Sequence, residues 1–481
     1  MSPSVEPFDE AKYKALMDGL ECKEVLYHDA SANKDFRIDS QFYTANILHN
    51  DDLQYEPIGS FLISSQYGVS KDMNTDGIGY QIYRMNEIHH SLCDISTDKY
   101  VELESTEFAN VELKDGDVLF NRTNSFDFVG RTGVYYYCGI PQTFASYLVR
   151  FVPDNTNIYS EYLAAFLNTQ YGIQEIRRRA RQSINQTNVN PEEVKAINIP
   201  LLKKSIQEQI RKCYIQAHLL RVKSAKLYDE TKTFLKTALG FDDVEIESDS
   251  ITAKTFSESF TVSGRLDAEY YQPKYEQYHS LITNYKNDYS TIRDEFLPIK
   301  EICDRRLATY QYVEIGDVDI GTGSASYNTI ATDDLPDNAK LITQKGDIIV
   351  STVRPNRGAV AILEDDGLLV SGAFTVLREQ GKYKKEVLQV LLRLPIYRDW
   401  LLRYNVGTSY PVIKDDDVLN MPIPLFEDTV QEEIAAKVQE SFALRKQSKQ
   451  LLEFAKQAVE MAIEEGEDKA LEWLKSKGVE C

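Results

Sequence analysis

The sequence predicts an α+β fold in which one domain-sized unit occurs twice and each copy is followed by a long helix. Four short motifs recur in the same order at a shift of 224 to 230 residues. Within each copy, segments rich in β-branched and aromatic residues alternate with segments of helical periodicity. After each copy, apolar and small residues are spaced alternately by three and four, as in a coiled coil.

The four repeated motifs keep their order and nearly constant spacing, which chance similarity would not do. They pair Arg37–Tyr43 with Arg265–Tyr271, Arg84–Ile88 with Glu314–Val318, Gly116–Leu119 with Gly346–Ile349, and Ile199–Ile210 with Ile423–Ile434. We therefore predict a pseudo-twofold repeat whose two modules recognise two similar targets at a fixed separation. The predicted segments are an N-terminal segment (1–36), a first body (37–201), a central helix (202–240), an acidic linker (241–264), a second body (265–425), and a C-terminal helix and tail (426–481).

Within the bodies, we predict a strand over Gly133–Cys138 and a helix over Glu386–Leu394 that Pro395 closes. The two following helices, near Ser205–Ala238 and Thr429–Ala462, each carry an apolar stripe that is too interrupted to be stable alone. We predict that they pair, with a basic first helix against an acidic second one. Closure of the repeat would bring Met1–Cys22 near the C-terminal helix.

Composition indicates a globular protein: 42% of its 481 residues are hydrophobic and 27% are charged. No signal peptide or membrane-spanning run is evident, and the six cysteines include no Cys-x-x-Cys pair, so we expect a cytoplasmic protein without membrane contact, zinc or disulfides. The net charge of −21 argues against DNA binding, yet Leu201–Ala238 holds nine basic residues against three acids. That segment is either a DNA-facing surface or a solvated helix face.

The repeated motifs resemble those of the specificity subunit of type I restriction–modification systems. The resemblance rests on Arg265–Pro273, Tyr312–Asp317, Lys345–Ile349 followed by Arg354, and the twice-used Ile-Pro-Leu-x5-Gln-Glu-x-Ile, and it covers nearly the whole chain. It implies two target-recognition domains, each a mixed sheet with helices, separated by a long antiparallel pair of coiled-coil helices.

The resemblance also implies a function. Each recognition domain would contact one half of a split sequence in double-stranded DNA, and the helices would set the gap. The subunit would have no catalytic residues and no cofactor of its own. Its partners would be two modification methyltransferase subunits, which carry S-adenosylmethionine, and restriction endonuclease subunits.

Contacts to bases and phosphates need basic, amide and hydroxyl side chains on loops. The richest cluster follows a predicted helix and consists of Arg177, Arg178, Arg179, Arg181, Gln182, Asn185 and Gln186. Its equivalent in the second repeat is less basic and consists of Thr408, Ser409, Tyr410 and Lys414. A solvated helix end is the other interpretation of the first cluster.

Four further loops are candidates for DNA contact. Two follow the Gly-Asp motifs and hold Asn121, Arg122 and Asn124 in the first repeat and Arg354, Asn356 and Arg357 in the second; the other two hold Gln66, Tyr67, Ser70 and Lys71, and Arg305 and Arg306. Ordinary polar surface turns are the alternative for each.

Three other motifs suggest chemistry but match it incompletely. The Gly-rich loop Ile320–Ala325 lacks the third glycine of a nucleotide-binding loop, and His89–His90 lacks further metal ligands at useful spacing. Asp115, Asp117 and Asp347 suit turn hydrogen bonds better than a nuclease site. The alternative functions are a duplicated DNA methyltransferase or nuclease, and a scaffold that binds proteins through its coiled coil.

Overall fold

The computed structural model describes residues 9–32, 36–45, 47–184, 186–241, 251–407 and 409–479. The acidic run Asp242–Asp249 and the candidates Asn185 and Thr408 lie outside the described residues. The described chain divides into two compact units, the first built from residues within 1–221 and 446–481 and the second from 222–445. The boundary between the units falls inside each of the two long helices.

The first unit contains a mixed six-stranded sheet and three smaller sheets. Its helices are α1 (Glu10–Met17), α2 (Tyr27–Ala32), α3 (Ser40–Thr44), α4 (Ser105–Val111), α5 (Ser160–Leu167), α6 (Gln170–Arg179) and α7 (Pro191–Lys195), with a 3-10 turn at Ile58–Phe61. Its strands are β1 (Tyr55–Pro57), β2 (Leu62–Tyr67), β3 (Tyr80–Tyr83), β4 (Ile88–His89), β5 (Leu92–Cys93), β6 (Tyr100–Val101), β7 (Val118–Asn121), β8 (Thr123–Asn124), β9 (Thr132–Val134), β10 (Gln142–Phe144), β11 (Leu148–Pro153), β12 (Arg181–Gln182), β13 (Thr187–Asn188) and β14 (Asn198–Pro200). The strand orders are β2-β11-β7-β9-β5-β4, β10-β3-β6, β12-β13-β8 and β1-β14.

The core of the first unit lies between the six-stranded sheet and α5. Every residue of α5 is buried, as is every residue of β7, so this strand is covered on both faces and its burial does not alternate. Val118 and Phe120 pack in the same apolar cluster as Tyr162 and Phe166 of α5. The strand-like Gly133–Cys138 segment is shorter than predicted: β9 ends at Val134, and the next residues form no strand.

The second unit repeats the scheme with two four-stranded sheets. Its helices within the body are α9 (Phe260–Ser263), α10 (Pro273–Thr283), α11 (Ile292–Glu295), α12 (Lys385–Leu392), α13 (Pro395–Trp400) and α14 (Asp415–Leu419), with 3-10 turns at Ala268–Tyr271, Ile315–Asp317, Thr332–Asp334, Pro355–Arg357 and Leu401–Tyr404. Its strands are β15 (Tyr289–Thr291), β16 (Phe296–Ile299), β17 (Thr309–Val313), β18 (Asn328–Ala331), β19 (Ala339–Ile342), β20 (Ile348–Ser351), β21 (Val360–Ile362), β22 (Leu369–Ser371), β23 (Phe374–Glu379) and β24 (Pro422–Pro424). The strand orders are β16-β23-β20-β21, β18-β17-β22-β19 and β15-β24.

Pro395 does not simply close a helix, as the sequence suggested. The helix α12 ends at Leu392, and Pro395 occupies the first turn of α13. A proline is well accommodated there because its missing N–H would have no partner inside the helix. The predicted boundary is therefore correct to within two residues, but the proline belongs to the following helix.

The duplicated motifs make the same contacts in both units, which confirms the repeat. Arg37 donates from Nε to Asp39 at 2.7 Å, and Arg265 donates from Nε to Asp267 at 2.8 Å. The tyrosine at the end of each motif donates its hydroxyl to the carbonyl of that arginine, at 3.0 and 3.1 Å. The arginine side chain lowers the pKa of the aspartate in both copies.

The glutamine after each Ile-Pro-Leu sequence joins three segments of its unit. The amide oxygen of Gln207 accepts the backbone N–H of Tyr159, which precedes α5, and its amide nitrogen donates to the carbonyl of Leu202. Gln431 does the same with the N–H of Lys384, before α12, and the carbonyl of Phe426. Both glutamines are buried. The repeated Gln-Glu sequence is therefore explained by a structural role of its glutamine.

The Gly-Asp motifs form turns, as predicted. Gly116 and Gly346 have φ of +83° and +93°, which a side chain would disfavour. Asp117 accepts the N–H of Lys114 at 3.0 Å and pairs with Arg150 at 3.1 Å. Asp347 likewise accepts the N–H of Gln344 at 2.8 Å and pairs with Arg378 at 2.7 Å.

The two long helices are α8 (Lys204–Leu239) and α15 (Asp428–Glu464), and α16 (Glu467–Ser476) follows the second. They pack antiparallel: Ser224 hydrogen-bonds Ser441, and the hydroxyl of Ser448 donates to the carbonyl of Ala217 at 2.8 Å. The predicted pairing is confirmed. The residues in contact between the two helices include buried serines. Lys223 and Glu440 form an ion pair between the helices at 3.0 Å, and both side chains are more than half exposed. Such exposed pairs contribute little, so small residues and apolar packing carry the pairing.

No helix among the described residues is long and apolar enough to cross a membrane.

Candidate nucleic-acid interfaces

In the first unit, the structure joins two loops that the sequence presented separately. β8 lies in the loop after the Gly-Asp strand, and β12 and β13 follow α6. These three short strands form one antiparallel sheet, in which Thr187 pairs with Asn124 and Arg181 with Asn188. The carbonyl of Arg122 accepts the N–H of Val189 at 2.9 Å. The predicted Asn121–Asn124 and Arg177–Gln186 candidates therefore share one surface.

A third candidate loop reaches the same surface through an arginine–tyrosine contact. The guanidinium of Arg122 lies over the ring of Tyr67, 5.2 Å from its centroid. Tyr67 ends β2 and is 51% exposed. A second pair, Arg177 over Phe126 at 5.5 Å, lies on the same two chain segments. We call Tyr67, Arg122, Phe126 and Arg177 interface 1.

The other arginines of the predicted cluster are paired with carboxylates. Arg178 contacts Glu175 at 2.9 Å, and Arg181 contacts Glu193 at 3.0 Å. Arg179 is buried and also pairs with Glu175, and its burial lowers its pKa. The predicted contact of Arg179 with DNA is therefore not supported by its position, because its guanidinium is enclosed in the protein.

The remaining candidates of the first unit divide into exposed and internally bonded side chains. Ser70, Gln182 and Gln186 are exposed. Gln66 accepts a hydrogen bond from Arg150 and donates one to the carbonyl of Asn110 at 3.1 Å, and Lys71 pairs with Glu107 at 2.6 Å. Asn121 is buried and donates to the carbonyl of Phe128 at 3.3 Å. The side-chain oxygen of Asn124 accepts the N–H of Ser125 at 2.8 Å. Gln66 and Asn121 therefore support the loops from within.

In the second unit, the equivalent loops also meet. Val353, after β20, forms a bridge with Val412, and the N–H of Arg354 donates to the carbonyl of Pro411 at 2.7 Å. The guanidinium of Arg354 lies over the ring of Tyr410 at 5.4 Å, and this tyrosine is 47% exposed. We call Arg354, Arg357 and Tyr410 interface 2.

Some of the other candidates of the second unit are exposed, and the rest are bonded within the protein. Arg357, Ser409 and Lys414 are exposed. The carbonyl of Asn356 accepts from Arg398 at 2.7 Å; Arg305 donates to the carbonyls of Pro336 and Ala339 at 3.1 and 3.0 Å; and Arg306 pairs with Asp304 at 2.8 Å. The partner of Arg306 thus belongs to its own loop, and those of Arg305 lie in the β18–β19 connection and at the start of β19. Arg305 is a structural residue by these contacts.

Four arginines differ from the rest in an otherwise acidic chain. Within the part of the chain that the structure describes, Arg122, Arg177, Arg354 and Arg357 form neither an ion pair nor a side-chain hydrogen bond. Two lie in each interface. Arg122, Arg354 and Arg357 belong to loops that the sequence singled out, and Arg177 stands in the last turn of α6 within the predicted Arg177–Gln186 cluster. Arginines elsewhere, such as Arg293 with Asp416 and Arg403 with Glu276, are paired with carboxylates.

The basic residues of α8 are less available than their number suggested. Lys223 pairs with Glu440, Lys232 pairs with Asp229 at 2.6 Å, and Lys203, just before the helix, pairs with Glu467 at 2.9 Å. Arg211 lies 3.9 Å from Glu161. Acidic neighbours therefore offset much of the positive charge of this helix, which favours a solvated or supporting face over a DNA-facing one.

The other motifs with suggested chemistry have structural partners. The carbonyl of Gly323, in the Gly-rich loop, accepts from the buried Gln389 at 2.9 Å. His89 contacts Asp94 at 3.0 Å, and the described residues contain no group of three or more side chains suited to hold a metal ion.

Two residues near the interfaces were missed by the sequence analysis. Phe126 supports Arg177, and Ile184 is fully exposed in the turn between β12 and β13. An apolar residue within an otherwise polar loop was the available signal in both cases. Whether such a residue lies in an interface depends on which loops meet, and long-range strand pairing decides which loops meet.

Comparison with known proteins gives a consistent set of relatives. No family model matches the chain. It is 28% identical over 165 residues to a putative type I restriction enzyme specificity subunit, MjaX, of Methanocaldococcus jannaschii, covering 34% of this chain and 38% of the relative. It is 25% identical over 153 residues to the StySPI specificity subunit of Salmonella potsdam, covering 31% and 33%. The match to the EcoKI specificity subunit of Escherichia coli is 33% identical over 76 residues, 16% of each chain.

Solved structures of such subunits also align with the chain. The HsdS subunit from Thermoanaerobacter tengcongensis covers 87% of this chain and 98% of its own at 11% identity, with a TM-score of 0.29. The type I S subunit from M. genitalium covers 86% and 96% at 11% identity, with a TM-score of 0.37. The matched segments of the first two curated relatives span about a third of their length. The chain is similar in sequence to type I restriction enzyme specificity subunits.

Proposed function

We propose that this chain is the DNA sequence-specificity subunit of a type I restriction–modification complex. Each unit recognises one half of a bipartite target in double-stranded DNA. The chain is not an enzyme; it places a modification methyltransferase on the DNA. The sequence similarity to specificity subunits supports this class, and we propose the two interfaces as the contact surfaces.

The observation that carries this proposal is the distribution of unpaired arginines. A chain of net charge −21 repels the phosphate backbone unless positive charge is concentrated where DNA is to bind. Carboxylates neutralise many arginines of the protein, but Arg122 and Arg177 in interface 1 and Arg354 and Arg357 in interface 2 have no such partner among the described residues. Free guanidinium groups on loops are the side chains that contact phosphates and guanine.

The partners follow from the same proposal. Two methyltransferase subunits would bind the chain, one for each half of the repeat, and each would hold its own S-adenosylmethionine. Restriction endonuclease subunits would join that complex. The chain itself binds no cofactor in this proposal, and it acts in the cytoplasm, where bacterial and archaeal DNA is found.

The proposal is tested by purifying the chain together with the methyltransferase encoded beside its gene. DNA treated with this complex should carry methylated adenines in one bipartite sequence with a fixed gap. Methylation by the partner alone should lose that sequence preference. If the isolated chain transferred methyl groups or cleaved DNA without any partner, the duplicated-enzyme alternative would replace this proposal.

A further inference from the structure

We infer that Arg122 and Arg354 each recognise a guanine base, so that each half of the DNA target contains a G·C pair contacted by one of them. This inference rests on the proposed function and adds the chemical identity of one base pair in each half. It also separates these two arginines from Arg177 and Arg357, which we assign to the phosphate backbone.

The backbone at Arg122 is fixed on both sides. Its N–H donates to the carbonyl of Tyr147 at 3.0 Å, and its carbonyl accepts the N–H of Val189 at 2.9 Å. The side chain then lies over the ring of Tyr67. The Nε atom is buried without a hydrogen-bond partner. The terminal amino groups are therefore the donors left to contact a ligand.

Arg354 reaches the same arrangement through a strained backbone. Its φ and ψ are +51° and 52°, a left-handed conformation that is unfavourable for a residue with a side chain. The bridge between Val353 and Val412 and the hydrogen bond to Pro411 hold it there. Such strain is typical of functional positions, where the fold fixes the direction of a side chain. Here the direction is over the ring of Tyr410.

A stacked arginine is suited to a base edge more than to a phosphate. The aromatic ring occupies one face of the planar guanidinium and restricts its rotation, so the parallel N–H groups point outward along one edge. The O6 and N7 atoms of guanine in the major groove accept two such parallel hydrogen bonds, and this is the commonest specific contact in DNA recognition. Phosphates accept donors from many directions and need no fixed orientation.

Arg177 and Arg357 are placed differently from Arg122 and Arg354. Among the described residues, Arg357 lacks the aromatic contact, and Arg177 belongs to a helix end instead of a loop that follows a central strand. Arg177 stands at the end of α6, over the half-buried Phe126. These two arginines therefore serve as matched controls for Arg122 and Arg354, since they have the same charge and lie in the same interfaces.

The test is a selection from a pool of randomised DNA duplexes by the full-length chain, purified with the methyltransferase encoded beside its gene. Wild-type protein should select a bipartite motif with at least one G·C pair in each half. Arg122→Ala and Arg122→Lys should lower the preference for one G·C pair in one half by roughly 5- to 150-fold, the range for a bidentate contact, and leave the other half unchanged. Arg354→Ala and Arg354→Lys should do the same in the other half. Arg177→Ala and Arg357→Ala should reduce the yield for all sequences without changing the motif.

Three results would overturn the inference. A uniform loss of binding in Arg122→Ala, with every position of the motif retained, would make this arginine a phosphate contact. Loss of preference at an A·T pair would refute the base assignment. Loss of both halves in a variant with an unchanged unfolding midpoint would refute independent recognition. Failure of the wild-type complex to select any bipartite motif would instead remove the proposed function, and the inference with it.

Discussion

Ser224 and Ser441 face each other across the two long helices, and each hydroxyl can donate to the backbone carbonyl of the other serine, at 2.9 and 3.1 Å. Both side chains are fully buried. Small residues at such a crossing let two helix backbones approach closely, and their hydroxyls need a partner once water is excluded. The contact fixes the register of α8 against α15.

Replacing Ser441 by leucine should therefore destabilise the second unit. The larger side chain has no space between the two backbones, and overpacking of this kind costs about 1–3 kcal/mol. Thermal unfolding followed by circular dichroism should show a lower midpoint. Ala443→Leu is the matched control, because Ala443 is exposed on the same helix. Equal midpoints for the two variants would show that the crossing is not tightly packed.

Arg177 and Arg179 should behave differently although they are two residues apart. Arg177→Ala should weaken DNA binding at all sequences and reduce the slope of log affinity against log salt by about one, because one phosphate contact is lost. Arg179→Ala should instead lower stability by up to about 3 kcal/mol, since it removes a buried partner of Glu175.

Salt titration of the methyltransferase complex and thermal unfolding separate the two outcomes. An unchanged salt slope in Arg177→Ala would mean that the exposed end of α6 is only solvated.

Exchange of Arg37–Leu201 for the matching part of a related chain should replace one half of the recognised sequence. The segment holds all of interface 1, together with both strands of the β1–β14 sheet, so its local contacts move with it. Methylated-adenine mapping of the chimeric complex provides the measurement. If a folded, assembled chimera lost both halves, the two units would not act independently.

Insertion of one heptad into both Ser205–Ala238 and Thr429–Ala462 should change the tolerated gap between the half-sites. Seven residues preserve the buried stripe of each helix, whereas the interface loops are untouched. The half-sites themselves should remain the same in a mapping experiment. A control insertion into α8 alone should impair folding, because the Ser224–Ser441 and Ala217–Ser448 contacts would no longer match. Altered half-sites in the double insertion would contradict the spacer role.

The sequence was sufficient to predict the duplication and the paired helices, because both depend on local patterns. Ile206, Ile210, Cys213 and Ala217, which follow the predicted alternate spacing of four and three, are all buried. Further along α8, Ser224 and Thr231 keep this spacing and are also buried. Tyr228, Leu235 and Leu239 are buried as well, whereas the predicted neighbours Leu227, Phe234 and Ala238 are only partly buried. A straight helix drifts in this way against a strict seven-residue repeat.

From the sequence, the candidate sites could be predicted only as separate loops. Which loops meet depends on pairs such as Thr187 with Asn124, separated by more than sixty residues, and single-sequence patterns do not reveal such pairs. Whether an arginine is free also depends on long-range contacts. Arg177 and Arg179 lie in the same run of arginines, yet Arg179 is buried beside Glu175 whereas Arg177 is exposed.

Among the described residues, Arg122, Arg177, Arg354 and Arg357 have no ion pair and no side-chain hydrogen bond, and this also matters for how such a protein evolves. The β8–β13 sheet and the Val353–Val412 bridge hold the loops by main-chain hydrogen bonds, which do not depend on these side chains. A substitution at one of the four positions therefore removes no ion pair and leaves no buried charge. Under the proposed base contacts, a mutation of Arg122 or Arg354 changes the preferred DNA in a single step while the protein stays folded, and it needs no compensating change elsewhere in the chain.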